Sequence, residues 1–185
     1  MEANLEHALQ SALSFLEAHN YAYAIIGGIA LAQWGLPRLT QDVDIKVLVP
    51  NMDYSTVRSN IEAAFPESAR AQTTSLIVAV NVSGVTVDFL LALPGYEETM
   101  IERSVTVDFD GSPIQVCTAE DLIIQKIVAN REKDWLDVEN VLIEQWWKLD
   151  QAYIQDWLAQ FTEALEDTEM LGKYERLIEK VKGLL

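Results

Sequence analysis

Residues 27–45 read GGIALAQWGLPRLTQDVDI, and the fold turns on how this stretch is parsed. The preceding Tyr21–Ile26, YAYAII, has the composition of a short buried strand, and Gly27 and Gly28 end it abruptly. Ile29–Trp34 follows as a short helix, closed by Gly35, with Pro37 unable to continue it. Asp42–Val49 is then a strand rich in β-branched residues and stopped by Pro50. A diglycine turn from strand to helix leaves the first N–H groups of the helix unsatisfied and pointing outward. Such a site suits a phosphate, and glycine lets it approach the main chain. On the strand that follows, alternation puts Asp42 and Asp44 on one face and Val43 on the other. Two carboxylates this close repel each other, so burying them without a cation raises at least one pKa. Mg²⁺, which prefers hard oxygen ligands and keeps several waters, removes that conflict and leaves room for substrate phosphates.

Working outward, Leu5–Ala18 carries apolar residues at a spacing that predicts an amphipathic helix, and residues 51–65 form a second helical pattern ended by Pro66. Residues 75–81 and 85–93 flank Val82, Ser83 and Gly84 in the manner of a hairpin. Val105–Asp108 and Ile114–Val116 flank Asp110, Gly111 and Ser112 as a second, shorter one. The pentapeptide VTVDF occurs in both hairpins, at residues 85–89 and 105–109, without a longer shared unit. In the first copy Asp88 lies on the face opposite Val85, Val87, Phe89 and Leu91, on a long apolar strand expected next to that of Asp42 and Asp44. In the second copy Asp108 sits two residues from a turn, where Asp bonds its local backbone. Asp88 is therefore assigned to the carboxylate site and Asp108 to the turn, an assignment that reverses if both hairpins reach one cleft.

From Thr118 onward strand signals vanish and helical patterns run to Leu185, with breaks near Glu132, Leu149 and Asp167. Thr118–Asp121 matches a capping box, so Asp121 is expected to serve the helix end. The expected fold class is α/β of the α+β kind: a small mixed β-sheet core flanked by helices over residues 1–117, then a helical unit over 118–185. Trp135, Trp146, Trp147 and Trp157 are expected to pack the helical unit. Leu171, Tyr174, Ile178, Val181 and Leu185 form a short a/d seam that docks on its own domain or serves a homodimer or partner protein.

The chain has 185 residues, of which 29 are acidic and 13 basic, for a formal net charge of −16. That surface repels a phosphate backbone unless the few basic groups gather on one face. One cysteine and two histidines exclude an internal disulfide and leave too few ligands for a structural zinc site. No opening basic and apolar pair of segments and no uninterrupted long apolar run point to a signal peptide or membrane span, so a cytoplasmic location is expected.

Gly27 and Gly28, the Asp42-Val43-Asp44 triplet and the later strand bearing Asp88 together resemble the nucleotidyltransferase superfamily, the DNA polymerase β-like fold. Within it, Arg38-Leu-Thr40-Gln-Asp42-Val-Asp44, the run from Asp121 to Lys126 and the run Arg131-Glu-Lys133-Asp134-Trp-Leu-Asp137 are similar to small bacterial AbiEii-type toxin nucleotidyltransferases. The resemblance implies transfer of a nucleoside monophosphate from an NTP such as ATP to an acceptor hydroxyl, with release of pyrophosphate. It implies that Asp42, Asp44 and Asp88 are catalytic and hold two Mg²⁺ ions, Asp88 also serving as base. It implies nucleotide contacts from Gly27, Gly28, Arg38, Thr40 and Lys126. Lys126 falls inside an apolar stripe of its helix, where it either snorkels outward or reaches an anion in a cleft. Asp134 and Asp137, three residues apart, are expected to orient Arg131 or Lys133. The acceptor is left open between a protein, a small molecule and a tRNA. A tRNA would need a local basic track from residues such as Arg38, Lys46, Arg58 and Arg70. A toxin with an antitoxin partner, or an inactive nucleotide-binding or interaction module of the same fold, are the other expectations.

Overall fold

The diglycine turn is where strand becomes helix, one residue after the sheet lets go of the chain. β1 (Tyr23–Ile25) ends, the Ile26 N–H still donates to the Asp44 carbonyl at 3.0 Å, and Gly27 opens α2 (Gly27–Trp34). The helix thus starts two residues earlier than predicted. The computed structural model describes residues 2–37, 40–66 and 74–185, with the side chains of residues 2 and 3 outside it. Arg38 and Arg70 lie outside the described residues.

Before β1 stands α1 (Glu2–Ala18), and after α2 come β2 (Asp42–Val47), a 3-10 turn at Pro50–Met52 and α3 (Tyr54–Ala64), whose N-terminus is capped by the Asp53 carboxylate. The first hairpin is β3 (Ile77–Val82) and β4 (Val85–Leu91), then come α4 (Tyr96–Glu102) and the second hairpin, β5 (Val105–Phe109) and β6 (Ser112–Val116). Both hairpins close on two residues with positive φ, Ser83-Gly84 and Asp110-Gly111, the backbone of a twist-matched type I′ turn. β3 and β5 each run one residue further into the turn than predicted, β6 starts two residues earlier than predicted, and β4 starts at Val85 as predicted.

The strands form one mixed sheet in the order β3-β4-β2-β1-β6-β5. β2 pairs in parallel with β4 and antiparallel with β1, β1 pairs in parallel with β6, and each hairpin is antiparallel. One face presents Val43, Ile45 and Val47 from β2, Val85, Val87, Phe89 and Leu91 from β4, and Val78 and Val80 from β3, all buried. The Phe15 ring from α1 meets Phe89 edge-on at a centroid distance of 5.8 Å. Burying a ring such as Phe89 contributes roughly 2–3 kcal/mol. Alternation then directs Asp42, Asp44 and Asp88 to the other face.

The C-terminal segment folds as α5 (Ala119–Ala129), α6 (Glu132–Gln145), α7 (Gln151–Ala164) and α8 (Met170–Lys182). Thr118 caps α5 as predicted, its Oγ1 accepting from the Asp121 N–H at 3.2 Å. Asp121 is fully buried, with Thr118 Oγ1 donating to one carboxylate oxygen at 2.7 Å and the Tyr153 hydroxyl to the other at 2.8 Å. Tyr174, Ile178 and Val181 of the expected seam are buried, whereas Leu185 is exposed. Trp157 packs between the rings of Tyr153 and Phe161 as expected, with centroids 6.5 and 6.2 Å away, whereas Trp147 departs from expectation at 86 % exposed.

The chain falls into two compact units, Met1–Ile29 with Leu39–Cys117, and Ala30–Arg38 with Thr118–Leu185. The first holds the sheet. In the second, Gly35 fits against Leu31 and Val141, and Gln145 Nε2 donates to the Trp34 carbonyl at 3.0 Å. Among the described residues no helix is long and apolar enough to cross a membrane.

Candidate functional site

The register between β2 and β4 decides which carboxylates meet. Asp44 is directly opposite Asp88 and Asp42 opposite Thr86, in a parallel pair. Neighbouring strands lie about 4.8 Å apart and same-face residues about 6.6 Å along a strand, so the three aspartates root on one small patch of one face. Asp42 is exposed while Asp44 and Asp88 are half-buried. Burial, and then the charge of Asp42, push the Asp88 carboxyl above the ordinary aspartate value of 3.8. Among the described residues no three acidic, histidine or cysteine side chains converge tightly enough to hold a metal ion as they stand. The donor chemistry is nevertheless that of a hard-cation site, three carboxylates rooted on adjacent strands.

The diglycine turn is built against these acids. Gly27 has φ +61°, and a Cβ there would lie 1.9 Å from Asp44 Oδ2. Asp44 therefore rests against the N-terminus of α2, where a negative charge is favoured. Gly28 has no such backbone requirement, but its Cβ would lie 2.4 Å from Thr40 Oγ1 and 2.7 Å from Thr40 Cβ. Thr40 Oγ1 in turn donates to Asp42 Oδ1 at 2.9 Å. Each glycine thus makes room for one arm of the carboxylate pair, Gly27 for Asp44 itself and Gly28 for the threonine that holds Asp42.

Two residues beyond Asp44 on the same face, Lys46 is buried and its Nζ meets Glu97 Oε1 of α4 at 2.5 Å. The other oxygen, Glu97 Oε2, accepts from the Leu93 N–H at 2.6 Å. Sequence reasoning missed both α4 and this pair. The signals were Pro94 and Gly95 ahead of Glu97 and Glu98, with apolar Tyr96, Met100 and Ile101 spaced for one helical face. Of the residues named for a basic track, Lys46 is thus engaged, and Arg58 donates to the Thr74 carbonyl and pairs with Glu62 at 3.7 Å.

The remaining motif lies in the second unit. Lys126 has a side chain 7 % exposed, with Nζ 2.6 Å from Asp137 Oδ2 and 3.4 Å from Asp134 Oδ1. It neither snorkels nor opens to solvent; its anions are the two aspartates one helix on. Asp134 also accepts from Arg131 Nε at 2.5 Å. Burial alone would raise the Asp134 carboxyl, but the Arg131 hydrogen bond and the Lys126 and Arg131 charges outweigh it and hold it below the ordinary value. In the second hairpin, Asp108 Oδ1 accepts from the Gly111 N–H at 3.1 Å, the local turn bond expected of it.

The family described as nucleotidyl transferase of unknown function (DUF2204) matches residues 5–176. No curated protein matches the chain. Among solved structures, the antibiotic-resistance factor ANT(2″)-Ia superposes with a TM-score of 0.59 at 12 % identity, covering 99 % of this chain and 97 % of its own. An antigenic nucleotidyltransferase-like protein from Paracoccidioides brasiliensis gives 0.55 at 16 % identity, over 92 % and 93 %. The lincosamide antibiotic adenylyltransferase LnuA, with lincomycin bound, gives 0.52 at 13 % identity, over 74 % and 95 %. At these identities the superpositions speak to the fold.

Proposed function

Because the chain belongs to the DUF2204 family of nucleotidyl transferases, we propose that it moves a nucleoside monophosphate from an NTP to an acceptor hydroxyl and releases pyrophosphate. The observation that carries this reading is the in-register pairing of Asp44 with Asp88, with Asp42 on the same face and the diglycine turn against them. Asp42 and Asp44 are the residues that would hold one Mg²⁺, and all three aspartates a second. Bound there, the metal would supply positive charge for the triphosphate and for the attacking and leaving oxygens. The position of Asp44 supports this. It already occupies the N-terminus of α2, so a phosphate brought to the same helix end meets a second anion and needs a cation between them.

Asp88 acts as base. Its carboxylate accepts the acceptor hydroxyl proton on an Oδ atom as the acceptor oxygen bonds to the α-phosphorus. The bond from that phosphorus to the pyrophosphate oxygen breaks, and pyrophosphate departs. Gly27 and Gly28 keep the main chain accessible to the nucleotide, and Arg38 and Lys126 are carried as nucleotide-side residues by the motif resemblance, whereas Thr40, for which the resemblance implies the same, is turned to Asp42. For Lys126 that role requires it to leave, or share, its contacts with Asp134 and Asp137.

For the donor and acceptor we favour ATP and a small hydroxylated molecule. ANT(2″)-Ia has been seen with adenylyl-2″-tobramycin and LnuA with lincomycin. A net charge of −16 and the engagement of Lys46 by Glu97 weigh against a tRNA. The AbiEii-type kinship and the toxin role rest on the Arg38–Asp44, Asp121–Lys126 and Arg131–Asp137 runs alone and gain nothing from these matches. The test is incubation with α-labelled ATP, Mg²⁺ and panels of hydroxylated small molecules, proteins and tRNA, following pyrophosphate and label transfer. Transfer that disappears in Asp42→Asn and Asp88→Asn supports the reading. Binding of Mg·ATP with no turnover across all panels supports an inactive nucleotide-binding module instead.

A further inference from the structure

We propose that Thr40 is a positioning residue for Asp42, and that residue 28 is glycine to let Thr40 do this. The inference rests on the reading of Asp42 as a metal-holding carboxylate and goes beyond it by giving Thr40 a task other than nucleotide contact. Asp42 opens β2 and is exposed, so nothing in the sheet itself fixes its side-chain torsions. The Thr40 hydroxyl does: its nearer acceptor is Asp42 Oδ1 at 2.9 Å, with the Asp42 carbonyl oxygen further off at 3.3 Å. A threonine hydroxyl has one proton to give, and once that proton is on Asp42 it is not available to a phosphate oxygen. Among the described residues no hydrogen bond to Oδ2 competes with a cation there.

The position of the hydroxyl depends on Gly28. A Cβ at residue 28 would stand 2.4 Å from Thr40 Oγ1 and 2.7 Å from Thr40 Cβ, so any other residue displaces the whole threonine side chain. Gly28, unlike Gly27, does not have a left-handed backbone, so space is the reason for glycine at this position. The chain of contact runs from Gly28 to Thr40 to Asp42, and it holds one carboxylate in place before any ligand arrives. Groups of this kind, one step behind a metal ligand, typically change metal affinity about 10- to 100-fold when removed.

The experiment uses the full chain and Mn²⁺ as the probe, read by the loss of the free-ion electron paramagnetic resonance signal, with and without α,β-methylene-ATP. Asp42→Asn sets the baseline. Thermal midpoints of all variants are measured alongside. Thr40→Val is expected to weaken Mn²⁺ uptake about tenfold while its thermal midpoint stays with that of the wild type. Thr40→Ser, which keeps the hydroxyl, is expected to restore uptake to within about twofold, and Gly28→Ala to behave like Thr40→Val. Wild-type uptake of Mn²⁺ by Thr40→Val overturns the proposal. So does a pattern in which Thr40→Val loses the ATP analogue but keeps Mn²⁺ uptake, which makes Thr40 a nucleotide contact. If the wild type takes up no more Mn²⁺ than Asp42→Asn, the metal-holding role of Asp42 fails first, and the wild-type arm alone shows it.

Discussion

Replacing Gly27 by alanine probes the contact between the turn and Asp44 directly. The residue has φ +61°, and an alanine held in the left-handed region costs roughly 1–2 kcal/mol. The new Cβ would also lie 1.9 Å from Asp44 Oδ2, 2.7 Å from its Cγ and 3.0 Å from its Cβ, so the aspartate must leave its rotamer. An off-rotamer side chain adds roughly 0.5–1.5 kcal/mol, for a total of roughly 1.5–3.5 kcal/mol. Gly84→Ala separates the two costs, because Gly84 has φ +85° with nothing within 4 Å of its would-be Cβ. It carries the backbone strain alone. Urea unfolding followed by far-UV circular dichroism measures both variants. All five tryptophans, Trp34, Trp135, Trp146, Trp147 and Trp157, belong to the second unit, so their fluorescence reports that unit separately. Gly27→Ala is expected to lose about 1 kcal/mol more than Gly84→Ala and to lose Mn²⁺ uptake, which Gly84→Ala keeps. Equal destabilisation of the two variants with uptake intact in both would refute the contact.

Asp88→Asn removes a carboxyl whose folded pKa is raised. Between the ordinary value of 3.8 and that higher value the folded state binds more protons than the unfolded one, so the ionising group costs stability as pH rises through this window. The variant should be more stable than wild type at neutral pH without metal and equal to it below the window, as read by thermal midpoint across pH. Asp134 has the opposite sign: its depressed pKa contributes stability above 3.8 that is lost as pH falls through the folded value. Arg131→Gln should therefore move the acid-unfolding midpoint of the tryptophan signal to higher pH. Lys126→Met leaves two buried carboxylates without their lysine and should cost about 3–5 kcal/mol in urea unfolding. Tyr174→Phe removes a buried hydroxyl that has no hydrogen-bond partner among the described residues, and the expected effect is between neutral and about 1 kcal/mol stabilising.

How far the sequence alone reached can be read from particular residues. The strand pair carrying Asp42, Asp44 and Asp88 was legible because a two-residue period and β-branched composition specify which side chains share a face. The choice of Asp88 over Asp108 followed from turn chemistry, and the Asp108–Gly111 hydrogen bond shows that chemistry in place. The seven-residue α4 shows only one short apolar face behind Pro94 and Gly95, and with it went Glu97 and the recognition that Lys46 is neutralised. Lys126 could be placed in an apolar stripe, but its two aspartates come from another helix, and a helical projection contains no other helix. The Gly28–Thr40 contact was hidden for the same reason. Residues twelve apart meet only after the chain has gone out through α2 and returned to β2.

That excursion has a consequence for anyone wishing to dissect the molecule. Ala30–Arg38 belongs with Thr118–Leu185, although Leu39–Cys117 lies between them in the chain. A stop codon after Cys117 would strand Leu31 and Gly35 without Val141, and Trp34 without Gln145. Swapping the helical half between homologues therefore calls for three recombination points, at 29/30, 38/39 and 117/118, where a simple fusion would have needed one.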